Sequence, residues 1–302
     1  MKSRLFIACW RVVALIGLIV TVGCSGFTSG QGGSPADAQG EVTLSRQGAT
    51  TLPRPDHVVM VIEENHAYSE IIGSSSAPYI NSLASQGAVL ANSHAVTHPS
   101  EPNYLALFAG STFGLSDDSC PHTFTSANLA QELIQAKSSF GGYSEDLPSV
   151  GYTGCSYANY ARKHNPWVNF TNVPSSVNMP FNSFPTNFSS LPTVSIVVPN
   201  LQNDMHDGTI EQADTWLKSH IDSYATWAKK NNSLLIVTWD EDDRSSGNQI
   251  PTIFVGPMVK AGNYSENVNH YNVLRTLEAM YELPYANQSA SVTIITDLWQ
   301  AR

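Results

Sequence analysis

HVVMVI (57–62), VSIVV (194–198) and SLLIVTW (233–239) are short, nearly unbroken apolar runs rich in β-branched residues. A strand covered on both faces of a parallel sheet carries this pattern, because neither face meets water. Between the runs, apolar positions recur every three or four residues over 77–86, 128–136, 209–230 and 271–281. That period predicts helices with one stripe against a core. Alternating strand and helix signals predict an α/β fold with a mostly parallel central sheet. Residues 141–191, rich in Asn, Pro, Ser and Tyr, keep neither period and are expected to be mostly irregular.

The N-terminus carries a different pattern. Lys2, Arg4 and Arg11 precede an apolar run over 12–23, which as a helix would span only about 18 Å, too short for a bilayer core. A basic start followed by a short apolar run reads as a signal peptide over 1–24. Gly23-Cys24 resembles a bacterial lipobox, with Cys24 as the lipidated residue and ordinary cleavage nearby as the alternative. Residues 25–55 are rich in Gly, Ser, Gln, Ala and Thr without apolar period, a composition expected of a disordered tether. From 56 to 302, about 245 residues remain, enough for one large α/β domain with a substantial core. The expected location is exported: a cell-surface or periplasmic lipoprotein held by its N-terminal lipid, or a secreted protein.

Beyond the leader only Cys120 and Cys155 remain. In an exported chain a lone pair most simply forms a disulfide, worth about 3–4 kcal/mol on the chain-entropy model. Net charge is −10 with only 13% charged residues, which argues against nucleic-acid binding, since that requires a basic face.

The residues just after each strand run carry the chemistry. The first run leads into Glu63-Glu64-Asn65-His66, the second into a segment containing Asp204, His206 and Asp207, and the third into Asp240-Glu241-Asp242-Asp243. Ligands of open α/β sheets bind at the carboxyl ends of strands. Carboxylates gathered there repel one another unless divalent cations intervene. Oxygen-rich sets suit Mg, Ca or Mn, and added imidazoles bring Zn and Fe into range. Each segment has a plainer reading as well: a solvated acidic turn, a helix cap, a surface histidine. His270, at the start of the last helical pattern, belongs either to this edge or to a cap.

In HAVTHPSEPNYLALFAG (94–110), Ser100 lies between Pro99 and Pro102, in a turn expected to open into a helix near Asn103. A helix N-terminus presents unpaired N–H groups to an anion, which suits a serine that attacks phosphate. Arg162, Lys163 and His164 bring cations into a cation-poor chain. Arg162 or Lys163 is expected to meet a phosphoryl oxygen and His164 to protonate a leaving group, with a surface loop as the alternative.

Taken together, HVVMVIEENHAYSEIIG, THPSEPNYLALFAGS, YARKHNPW, PNLQNDMHDG, LLIVTWDEDD and NHYNVLRTLEAMY resemble the bacterial phosphoesterase family of acid phosphatases and phospholipase-C-type enzymes. That family belongs to the alkaline-phosphatase-like superfamily. The resemblance implies a three-layer α/β/α sandwich and a metal-assisted hydrolase with a phosphoserine intermediate. It implies Ser100 as nucleophile, Asn103 as donor to the phosphoryl oxygen, and Glu64, Asn65, Asp240 and Glu241 as one metal site. Asp204, His206 and His270 match positions that complete a second site in metal-rich members, so one or two divalent ions are expected. An Asp-Glu pair at 240–241, where the superfamily usually has Asp-His, favours a harder cation. The expected substrate is a phosphate monoester. Alternatives are a phospholipase C-type diesterase and a non-catalytic phosphate- or metal-binding lipoprotein, against which Ser100 argues.

Overall fold

A computed structural model describes residues 52–300. The expected export segment with Cys24, and most of the expected tether, lie outside the described residues. Residues 52–55 pack on the domain: Leu52 lies against the core, and the Tyr281 hydroxyl donates to the Pro55 carbonyl at 3.0 Å.

The chain opens with strand β1 (His57–Glu63), then a single turn α1 (Tyr68–Ile71) and helix α2 (Pro78–Gln86). Short strands β2 (Ala88–Leu90) and β3 (Ser93–His94) lead to helix α3 (Ser100–Ala109), followed by α4 (Leu129–Gln135) and strand β4 (Phe140–Ser144). A hairpin of β5 (Ser156–Tyr157) and β6 (Tyr160–Ala161) precedes β7 (Asn178–Pro180) and β8 (Val194–Val198). The long helix α5 (Ile210–Ala228) and strand β9 (Ser233–Trp239) come next. Strands β10 (Thr252–Val255), β11 (Gly262–Tyr264) and β12 (Val268–Asn269) then lead to helix α6 (His270–Met280).

Eight strands form one sheet in the order β11-β2-β10-β9-β1-β8-β4-β7. The three apolar runs recognised in the sequence are its centre: β1 pairs in parallel with β8 and β9, so that Met60 stands opposite both Ile196 and Ile236. Within this sheet β10 alone runs antiparallel, pairing with β9 and β2. Side-chain alternation along β1 builds two cores. Val58, Met60 and Ile62 meet α3, α4 and α6 through Leu105, Phe108, Leu133 and Leu274. Val59 and Val61 meet α2 and α5 through Ile80, Leu83, Leu217 and Ile221. The result is a three-layer α/β/α sandwich, in which each such fully buried side chain is worth about 1.5–3 kcal/mol.

The stretch read as mostly irregular contains the rest of β4, the β5–β6 hairpin, β7 and several short 3-10 turns. Strand β4 escaped the pattern because Gly141 and Gly142 blank its apolar signal. Gly142 is required there: a Cβ would lie 2.2 Å from the indole of Trp167.

Helix α3 also departs from expectation, starting at Ser100 rather than near Asn103. Pro102 falls in its first turn, where the missing N–H has no carbonyl to meet, so proline is tolerated. All ten residues of α3 are buried, the polar Ser100, Glu101 and Asn103 of its first turn included. It ends at Gly110 in the left-handed region (φ 67°), where a Cβ would sit 2.1 Å from the Ala286 carbonyl.

Candidate active site

The carboxyl ends of β1, β8 and β9 converge at one edge of the sheet. The N–H of Asp240 donates to the Glu63 carbonyl at 3.0 Å, and that of Glu64 to the Asp204 carbonyl at 2.8 Å. Asn65 turns the chain out of β1 in the left-handed region (φ 55°), and its N–H donates to Asp240 Oδ1 at 3.2 Å. Asparagine accepts that conformation more readily than most residues. Three separated acidic segments thereby share one small volume, with Glu64, Asp204, Asp240 and Glu241 all buried.

Helix α3 brings its first two turns against this cluster. Ser100 Oγ donates to Glu64 Oε2 at 3.1 Å, and one turn later the Tyr104 hydroxyl donates to Glu64 Oε1 at 2.6 Å. Asn103 sits between them. Its Oδ1 accepts the N–H groups of Val96 and Thr97, both at 3.0 Å, which folds the turn before the helix. Its Nδ2 donates to Glu241 Oε2 at 3.0 Å and to the Thr97 carbonyl at 2.8 Å.

A 3-10 turn directly after the β5–β6 hairpin, Arg162–His164, supplies the cations. His164 Nε2 lies 2.9 Å from Glu64 Oε1 and its Nδ1 3.2 Å from Asp204 Oδ2. Burial opposes charge on both Glu64 and His164, but their mutual attraction dominates. Glu64 is held below the usual carboxylate range and His164 above the usual histidine range. Lys163 Nζ donates to Asp118 Oδ2 at 3.0 Å and to His206 Nε2 at 3.1 Å. His206 Nδ1 donates to Asp207 Oδ1 at 2.7 Å, which leaves Nε2 as the acceptor. Ser100, Asn103, Glu64, Glu241, His164, Asp204, His206 and Lys163 are thus brought into one site.

His270 is placed differently from the others. It lies buried beneath Asp240 and donates from Nε2 to the Asp240 carbonyl at 2.6 Å. Burial pushes its pKa down to about 4. It supports the backbone of the acidic segment, and only Nδ1 keeps a free lone pair. Cys120 and Cys155 are joined in a disulfide, as expected from their isolation in the sequence.

Sequence reading missed Tyr104, His98 and Asp118. Tyr104 had a signal, four residues after Ser100 on the same helix face. His98 lies 3.0 Å from Glu241 and 3.1 Å from Asp242, a bridge between segments far apart in the chain. Nothing local announces such a bridge.

The donor chemistry suits a divalent cation. Asp240 Oδ2 is buried with no hydrogen-bond partner. Burial followed by repulsion from Glu64 raises the pKa of Asp240 well above the ordinary, and the same causes raise Glu241 to about 8. Glu64 and His206, and His164 once it gives up its proton, place a ligand atom each within 4.8 Å of one another. The site carries more negative charge than His164 and Lys163 neutralise.

The sequence model of the phosphoesterase family matches residues 74–284. The chain belongs to the phosphoesterase family. It is 52% identical over 300 residues to a phosphatidylinositol-3-phosphatase of Mycobacterium tuberculosis, covering 98% of this chain and 97% of that one. It is 34% identical to an acid phosphatase of Aspergillus fumigatus, over 67% of this chain and 50% of the fungal protein. A phosphate-repressible acid phosphatase of Penicillium chrysogenum is 32% identical, over 68% and 54%. The chain therefore spans about half the length of these fungal relatives. Among solved structures, an alkaline phosphatase superfamily protein from Vibrio parahaemolyticus matches with a TM-score of 0.55 at 12% identity, over 80% of this chain and 71% of that one. A lipoteichoic acid synthase from Listeria monocytogenes matches with a TM-score of 0.54 at 10% identity, over 79% and 74%. At such identities the likeness concerns the fold alone.

Proposed function

We propose that this chain is a metal-dependent phosphomonoesterase in which Ser100 is transiently phosphorylated. The observation that carries the reading is the hydrogen bond from Ser100 Oγ to Glu64 Oε2, at the first position of a buried helix. A serine kept only for packing would have no reason to donate to a buried carboxylate of the acidic cluster.

Glu64, Asp240, Glu241 and Asn65 would hold one divalent cation; Asp204 and His206 would hold a second if two are bound, His206 Nε2 then giving up its bond from Lys163; His270 contributes only through its support of Asp240. A bound cation supplies the positive charge that admits an anionic ester and makes the Ser100 hydroxyl more acidic. Glu64 orients Oγ and accepts its hydrogen bond. The positive end of the α3 dipole faces the phosphoryl group, although the Glu101 N–H is taken by Asp118 and Pro102 has none. Lys163 meets the third non-bridging phosphoryl oxygen, which a monoester carries and a diester replaces with an ester oxygen. His164, held protonated between Glu64 and Asp204, has a proton for the departing alcohol. Water then attacks the phosphoserine from the vacated side, releasing phosphate and restoring Ser100.

The full-length identity with a phosphatidylinositol-3-phosphatase supports a phosphoinositide monoester as the substrate class. Export to an oxidising compartment goes with the Cys120–Cys155 disulfide. Lipidation at Cys24 would hold the domain at a membrane, and Cys24→Ala should then move the protein to the soluble fraction with unchanged specific activity. The deciding test compares phosphate release from p-nitrophenyl phosphate, its bis-ester and a short-chain phosphatidylinositol 3-phosphate. Faster turnover of the bis-ester would overturn the monoesterase reading.

A further inference from the structure

One side chain outside the acidic cluster ties three parts of the site together. Asp118 lies in the loop after α3. Its Oδ1 accepts the N–H of Glu101, the neighbour of Ser100, at 2.9 Å. Its Oδ2 accepts from Lys163 Nζ at 3.0 Å. Each oxygen thus has one partner, and the two partners come from the nucleophile helix and from the turn after the hairpin.

The loop and the hairpin are also fastened to each other. Cys120, two residues beyond Asp118, is bonded to Cys155, whose carbonyl accepts the Arg162 N–H at 3.0 Å. The Arg162 guanidinium reaches back to donate to the His122 carbonyl at 3.1 Å and to the Thr153 carbonyl at 2.6 Å. Lys163 comes directly after this anchored residue. The side chains of Lys163 and Asp118 are 19% and 26% exposed, so solvent screens the pair less than an open surface pair.

An ammonium has three N–H donors. Asp118 and His206 take two of them, which directs the third. A free lysine side chain carries about 2 kcal/mol of rotamer entropy. Ordering it before substrate arrives removes that cost from binding.

We propose that Asp118 is the positioning residue that aims Lys163 at the terminal phosphoryl oxygens of the substrate. This rests on the phosphomonoesterase reading. Asp118 does not touch substrate; it acts by fixing Lys163 between His206 and the N-terminus of α3. Asn at this position keeps an acceptor for the Glu101 N–H and removes the charge that holds Lys163.

The test uses the full chain and two readouts. In active enzyme, Asp118→Asn should raise KM for p-nitrophenyl phosphate about five- to tenfold while kcat changes less than about twofold. In the Ser100→Ala background, calorimetric binding of inorganic phosphate should weaken by a similar factor. Asp118→Glu should recover part of the loss, and Asp118→Asn added to Lys163→Ala should cost nothing further. An unmoved phosphate affinity in folded Asp118→Asn protein overturns the proposal, as does additivity with Lys163→Ala. Because phosphate binding is read without turnover, an active Ser100→Ala enzyme would fail the phosphoserine reading alone.

Discussion

The ring of Tyr104 lies flat against that of His164, with centroids 5.0 Å apart and planes 11° from parallel. Both side chains address the same Glu64 oxygen, the hydroxyl at 2.6 Å and the imidazole at 2.9 Å. Tyr104→Phe keeps the stacked ring and removes one donor from a buried carboxylate. A hydrogen bond to a charged group contributes about 1.5–3 kcal/mol, so kcat/KM should fall roughly tenfold or more in a protein that still folds. Steady-state kinetics beside circular dichroism check this; unchanged kcat/KM would mean Glu64 works without the hydroxyl.

Ser100→Ala should fold normally and lose turnover by about 10³-fold or more, because the covalent route disappears. Wild-type enzyme given labelled substrate and quenched in acid should carry phosphate on Ser100. A variant that keeps most of its activity would sink the mechanism.

Asp240→Asn retains the acceptor for the Asn65 N–H and removes the charge of a carboxylate that burial and its neighbours already disfavour. Elemental analysis should find less divalent metal in this variant, and activity should be lost. In metal-free protein the same change should raise Tm, since it relieves repulsion with Glu64 and Glu241. A chelator should silence the wild type, and added metal should restore it. Full activity in thoroughly chelated enzyme would refute metal dependence.

Stability should depend on pH through a carboxylate pair remote from the site. Glu132 on α4 is buried with both oxygens unpartnered. Burial, then repulsion from Glu278, pushes its pKa up to about 8. Glu278 is raised to about 7 by burial, although Ser289 and the Ala286 N–H donate to it. Unfolded, both titrate near about 4.3. Between that value and the raised ones the folded state binds more protons, so stability falls as pH rises from about 4 to about 8. Glu132→Gln should flatten the fall of Tm over this range and raise Tm at its alkaline end. A wild-type Tm that climbs steadily from pH 5 to 8 would contradict the assignment.

Local pattern determined what depends on burial alone. Unbroken β-branched runs can only sit between two apolar layers, so β1, β8 and β9 were legible, and with them the acidic segments at their carboxyl ends. The helical stripes over α2, α4, α5 and α6 were legible for the same reason, and the isolated cysteines announced their pairing. Tertiary structure decided what depends on distance across the chain. Gly141 and Gly142 hide β4 until Trp167 is seen packed over Gly142 and Pro192 and Met179 beside Gly141, and the antiparallel β10 is known only from its partners. Ser100 meets Glu64 across 36 residues and Asn103 meets Glu241 across 138. His164 stood in the sequence as a cation free for substrate, and the fold pairs it with Glu64 and Asp204. Periodicity reports which face of an element meets water, whereas charge pairing is set by the order in which the sheet lays its strands side by side.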